Sequence, residues 1–234
     1  RSASIASSWR REAPPFAIDG PAGSGKSTIS SLLANHLGWT HIDTGAMYRA
    51  VTLYALKKGL DLNDENSYMF LENVYIEYKD NKIFIDNKDV TEEIRGKEIN
   101  QHVSLVSSFP YVRKKLVETQ QKTISSGNII MDGRDIGTVV IPNADLKIFL
   151  TAHVEERAKR RHKEQTKKGN SNQIDQVIEE IIRRDQKDST RKESPLRKAD
   201  DAIEIDTTNS SIEEVVEKIV QLIKLKEQEK NDWY

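Results

Sequence analysis

From Phe16 onward the chain alternates short apolar runs with stretches in which apolar residues recur every three to four positions. That alternation predicts parallel βαβ units. Five runs read as strands: Phe16–Asp19, Thr40–Asp43, Asn128–Asp132, Leu146–Leu150 and Ala202–Asp206. Four of the five end in Asp, which lines the C-terminal edge of the sheet with carboxylates, the edge where open α/β folds bind ligands. The helical period predicts Ser27–Leu37, with Ile29, Leu32, Leu33 and Leu37 on one face and Gly38 as the stop. A second helix spans Thr44–Lys58, with Thr44 as N-cap and Gly59 at its end. Pro110 opens a third that turns Val112, Leu116 and Val117 inward and ends near Gly127. Val154–Lys163, Ile174–Arg184 and Ser211–Lys226 complete the set.

One segment breaks this alternation. Val74–Tyr78, the turn Lys79–Lys82 and Ile83–Asp86 read as an antiparallel hairpin inside an excursion of roughly 40 residues. The chain accordingly divides into a core (16–60, 101–150 and 200–226), an insert (61–100) and a helical lid region (151–199), with Gly169–Asn172 as a flexible lid tip. Residues 1–15 are rich in Ser and Arg and carry neither a starting Met nor an apolar stretch; they are set apart as disordered or non-native, and not as a secretory signal.

Composition narrows the function classes. With 36% apolar and 31% charged residues in 234, the chain has the profile of a soluble globular protein, and no apolar run reaches membrane-spanning length. It has no cysteine, which excludes disulfides, thiolate metal sites and a Cys nucleophile and fits a reducing compartment; a cytoplasmic location and a monomer are expected. The five histidines show no metal-ligand spacing. A net charge of −1 argues against bulk attraction to nucleic acid or membrane, yet residues 151–198 hold 14 Lys and Arg against 9 Asp and Glu. An anionic ligand is expected there.

Gly20-Pro21-Ala22-Gly23-Ser24-Gly25-Lys26-Ser27, followed by Thr28, lies between a predicted strand and a predicted helix and matches G-x-x-x-x-G-K-[ST]. Its glycines let backbone N–H groups wrap a phosphate, and the following helix adds the positive end of its dipole. Lys26 can then reach the β- and γ-phosphates of ATP, and the Ser27 hydroxyl can ligate Mg²⁺. A GTPase is disfavoured, because Asn87-Lys88-Asp89 places its acid one residue early; Asp132-Gly133-Arg134 lacks the following Glu of a remodelling ATPase. Small-molecule phosphoryl transfer remains. The turns after the second and third strands bring Thr44, Tyr48, Arg49 and Arg134 to the same sheet edge, and the arginine forks suit a second phosphate.

Gly20–Thr28, Asp43-Thr44-Gly45-Ala46-Met47-Tyr48-Arg49, Asp132–Val140 and Ser194–Ala202 together resemble bacterial cytidylate kinase, within the nucleoside monophosphate kinases, from about Phe16 to about Ile223. The resemblance implies an α/β P-loop kinase fold with a five-stranded parallel sheet, a small antiparallel monophosphate-binding insert and a helical lid. It implies transfer of the γ-phosphate of Mg·ATP to CMP or dCMP. By position, Arg49 and Arg134 would hold the acceptor phosphate, Thr44 and Tyr48 would shape its pocket, and Ser104, Arg113 and Asp135 would read the cytosine edge. Arg184, Asp188 and Arg191 would sit near the sugar and base. Asp135 and Ser104 can accept from the exocyclic amine of cytosine, where uracil presents a carbonyl.

The attacking phosphate oxygen is already anionic, so no general base is required, and catalysis rests on positioning and charge. Arg157, Arg160 and Arg161 are expected to close over the phosphates. Asp132 is expected either to bind Mg²⁺ through water or to make a structural hydrogen bond to the P-loop. Two other readings stay open: a P-loop kinase for another small acceptor such as UMP or shikimate, and an ATP-regulated nucleic-acid-binding protein.

Overall fold

The computed structural model describes residues 15–124, 128–167 and 173–231; residues 1–14, the predicted lid tip Gly169–Asn172 and the predicted helix end at Gly127 lie outside them. Strands β1 (Phe16–Asp19), β2 (Thr40–Asp43), β6 (Ile129–Gly133), β7 (Leu146–Thr151) and β8 (Ile203–Asp206) form one parallel sheet in the order β2-β6-β1-β7-β8. All five coincide with the predicted strands to within a residue at each end.

The sheet is covered on both faces, which is why its strands read as apolar runs. Phe16, Ile18, Ile130, Ile148 and Leu150 face Ile29 and Leu33 of α1 (Lys26–Leu37) and Val215, Ile219 and Ile223 of α7 (Ile212–Asn231). The alternate positions Ala17, Ile42, Ile129 and Met131 turn to the other face and pack with Ile136, Val140 and Ile141. Truncating a fully buried side chain here, such as Ile148→Ala, costs about 2–5 kcal/mol through lost burial and the cavity left behind.

Helix α2 (Thr44–Lys57) begins one residue before the expected cap took effect: Asp43, not Thr44, is the N-cap. Asp43 leaves β2 still extended, and its carboxylate accepts from Ala46 N at 3.1 Å. Beyond α2, a 3₁₀ stretch (Glu65–Glu72) leads into a separate antiparallel sheet of β3 (Ile76–Lys79), β4 (Lys82–Ile85) and β5 (Lys88–Asp89). The predicted hairpin forms with a two-residue tip, Asp80-Asn81, both with positive φ, as a tight I′-type connection requires. Ile76, Ile83 and Ile85 of this sheet are buried against α2.

Helix α3 (Lys97–Val106) was not anticipated, although Ile99, Val103 and Val106 have helical spacing and are buried. Helix α4 (Pro110–Ile124) follows as expected. The lid-region helices α5 (Val154–Lys167) and α6 (Ile174–Thr190) run further than predicted, because the apolar period of α6 stops near Ile181 while its polar continuation carries buried Asp188. Among the described residues, no helix is long and apolar enough to cross a membrane.

Candidate active site

The P-loop leaves β1 at Asp19 and enters α1 at Lys26. Gly20 passes so close to the end of β7 that a Cβ there would lie 2.3 Å from Leu150 O, and Gly25, at φ 89°, turns the chain into the helix. No side chain caps α1, so its first N–H groups are left for a phosphate. Lys26 is buried and donates to Pro21 O at 3.2 Å. Burial, reinforced by Arg134, lowers its pKa to about 7. A bound triphosphate would remove that penalty.

Asp132, fully buried on β6, organises the mouth of the loop. One carboxylate oxygen accepts from Ser27 Oγ at 2.9 Å and the other from His41 Nε2 at 2.6 Å, while Thr44 Oγ1 donates to its carbonyl at 2.8 Å. Register places Asp43 beside Asp132 on adjacent strands, and burial plus that neighbouring charge raise the Asp43 pKa. Burial opposes a charge on His41, but the hydrogen bond and charge of Asp132 outweigh it and its pKa is raised. Behind the loop, Asp19 accepts from Ile136 N and Gly137 N at 2.8 and 2.7 Å, fixing the turn that carries Arg134 and Asp135. Burial outweighs those bonds and raises the Asp19 pKa to about 7.

On the far side of the cavity Asp188 is the hub. Arg134 Nε donates to it at 3.0 Å and Ser104 Oγ at 3.4 Å, with Arg184 and Arg191 at 3.9 and 3.8 Å. Burial acts against its ionisation, yet the arginines win and its pKa is lowered. Arg113 Nη2 donates to Asp135 at 2.5 Å, and its guanidinium lies over the Tyr48 ring at 5.1 Å. Arg49 donates to Asn100 of α3. Burial and Arg161 lower the Arg49 pKa to about 10; burial, Arg134 and Arg49 lower that of Arg184 further. These cations destabilise one another, which is the electrostatic signature of a polyanion site.

One cavity of about 1400 Å³ joins the two sides, running from the P-loop past Asp132 to Arg49, Arg134, Ser104 and Arg184. Of the lid arginines, Arg161 lines it and makes no hydrogen bond or ion pair to another described residue. Arg160 also lines it, held by Thr207 at 2.9 and 2.6 Å and by Glu156. Arg157 is instead buried against the back of the loop, donating to Ala22 O, Ala152 O and Asp185. Tyr48, Arg113 and Asp135 are buried next to the cavity, with Arg113 and Asp135 ion-paired, and Arg191 stands against Asp188. Sequence reasoning missed His41, Asn100 and Asp185. Of these only His41 carried a signal, as a polar residue two positions before a strand-end Asp.

A P-loop and a cationic cluster facing each other across one cavity define a small P-loop kinase. The fold agrees: a gluconokinase structure from Sinorhizobium meliloti superposes with a TM-score of 0.50 at 14% identity, covering 96% of this chain and all of that one. A structure of an uncharacterised protein from Eubacterium ventriosum gives 0.51 at 14% identity, covering 91% and 99%. Sequence narrows the class. The cytidylate kinase family model matches residues 16–225. The cytidylate kinase of Acholeplasma laidlawii is 62% identical over 88% of this chain and 93% of its own, and that of Listeria monocytogenes serotype 4a is 52% identical over 90% and 96%. The chain belongs to the cytidylate kinase family.

Proposed function

We propose that the chain transfers the γ-phosphate of ATP to CMP or dCMP, giving CDP or dCDP and ADP, with Mg²⁺ as the metal. Family membership supports the reaction. The observation that carries the site assignment is the single cavity in which Arg49, Arg134 and Arg184 face the P-loop. The nucleophile is a phosphate oxygen of CMP, which attacks the γ-phosphorus as the bond to the β,γ-bridging oxygen breaks and ADP leaves with that electron pair. Lys26 and the α1 N-terminus hold the donor phosphates, and Arg49 and Arg134 align the acceptor. Arg160 and Arg161 offset charge on the transferring group, while Arg157 supports the loop through Ala22. Ser104, Arg113 and Asp135 read the base, with Thr44 and Tyr48 beneath the acceptor and Arg191 and Asp188 holding the frame.

The Ser27 hydroxyl and Asp132 carboxylate, 2.9 Å apart at the loop, are hard oxygen donors that suit Mg²⁺, with Asp132 reaching it through water. The metal would draw charge from the bridging phosphate oxygens. Among the described residues no cluster of three or more acidic, His or Cys side chains competes for a metal, which fits a cation that takes most ligands from phosphate and water.

A coupled ADP-release assay with Mg·ATP and CMP, dCMP, UMP, AMP or shikimate tests this reading. CMP and dCMP turnover with little UMP turnover is expected, and ATP hydrolysis without acceptor should be slow. Equal CMP and UMP rates would remove the base-reading assignment and leave a kinase for other small acceptors.

A further inference from the structure

His41 is absent from the chemistry above, yet it occupies a junction. It lies on β2 two residues before Asp43, is 7% exposed, and lines the cavity. An ionised carboxylate only accepts, so His41 Nε2 donates to Asp132 Oδ2 at 2.6 Å. The opposite Asp132 oxygen is thereby presented to Ser27. On its other side the ring meets the small sheet: the edge of Tyr78 of β3 at 6.1 Å, with the side chain of Asn81 at the hairpin tip near enough to favour the protonated ring. Tyr78 and Asn81 line the same cavity.

We propose that His41 is a positioning residue that fixes the orientation of the Asp132 carboxylate toward the metal, and that the Tyr78–Asn81 hairpin tip holds His41 in place for that task. The small sheet, which stands beside the acceptor, is then mechanically tied to the donor's metal carboxylate. The proposal rests on the assignment of Asp132 as a metal-facing group. The geometry favours it over a packing role. A packing residue at this position would need only an apolar ring, whereas this ring bonds the one carboxylate that also reaches the P-loop serine. Partners that orient a metal-facing carboxylate typically influence metal affinity or activity by about 10–100-fold.

The test compares the full chain with His41→Leu, His41→Gln and Asn81→Gly. Gln can place an N–H donor near the position of Nε2, and Gly at 81 accepts the observed φ of 59° while removing the side chain. Binding of Mn²⁺·ADP is titrated by electron paramagnetic resonance, and binding of metal-free ADP by calorimetry in EDTA. His41→Leu should weaken Mn²⁺·ADP binding about tenfold and metal-free ADP binding less than about twofold. His41→Gln should recover most of the difference, and Asn81→Gly should weaken the metal complex by about threefold. Equal weakening of both ligands by His41→Leu, or no recovery with Gln, overturns the orienting role. If His41→Leu does not fold, His41→Gln and Asn81→Gly carry the comparison, and an unchanged Asn81→Gly overturns the hairpin link. If the unaltered chain binds Mn²⁺·ADP no more tightly than ADP, the metal assignment itself fails, and the proposal with it; that result is distinct from a chain that prefers the metal complex and ignores His41.

Discussion

On the P-loop side of the cavity the main chain makes the binding surface: an uncapped helix N-terminus, glycines that permit close approach and a single lysine. On the acceptor side the surface is made of side chains delivered by separate elements, Arg49 from α2, Ser104 from α3, Arg134 after β6 and Arg184 from α6, backed by buried Arg113 of α4 and Asp188 of α6. The first arrangement is local and tolerates any nucleoside triphosphate geometry that offers phosphates. The second is assembled from distant chain segments, holds several mutually repelling cations around one buried carboxylate, and can discriminate among acceptors. On the proposed assignment, generic donor binding and selective acceptor binding would follow from how each side is built.

The sharpest way to break the comparison is at its shared centre. Lys26→Met should lower kcat by about 10³-fold while CMP binding changes little, since Lys26 serves the donor phosphates; single-turnover kinetics with calorimetric CMP binding would show the split. Arg134→Gln should do the reverse, cutting kcat/KM for CMP by about 10²-fold with the KM for ATP nearly unchanged. Asp135→Ala should erase roughly 10²-fold of discrimination between CMP and UMP in competition assays. It also strands buried Arg113, and denaturant unfolding should show a loss of about 3–5 kcal/mol. Ser104→Ala, which leaves no buried charge unpaired, should reduce the same discrimination by about tenfold with stability nearly intact.

A separate expected effect is on pH dependence. Asp19 has its pKa raised from 3.8 to about 7, chiefly by burial. Between those values the folded chain holds a proton that the unfolded chain has released, so this group lowers stability as pH rises from about 4 to about 7 and has no further effect above. Asp19→Asn should flatten that part of the difference between the two stability-versus-pH curves, by at most about 1.4 kcal/mol per pH unit. Parallel curves would contradict the assignment.

The same contrast explains what the sequence revealed. The P-loop and the five core strands were legible because their signals are contiguous: a glycine spacing, a run of apolar residues, a terminal Asp. Arg134, Arg184 and Arg191 were legible as candidate site residues, but their convergence on Asp188 depends on α6 continuing six residues past the predicted Arg184, where apolar periodicity gives no guide. The pairing of His41 with Asp132 required knowing that β2 and β6, 91 residues apart at that contact, are neighbours in the sheet. Asp43 displaced Thr44 as the cap because a strand-end carboxylate could reach Ala46 N, and the hydroxyl of Thr44 was thereby left for Asp132. Arg157 shows the limit of charge counting in a basic segment: its guanidinium turns to the P-loop backbone and Asp185 rather than to the open cavity.

The most direct test of the acceptor side is calorimetric titration of the nucleotide-free chain with CMP and with UMP, in the absence of ATP. A side-chain cradle built for cytosine predicts CMP binding without the donor and at least tenfold weaker UMP binding. Equal affinities for the two, or CMP binding only after ATP, would contradict it.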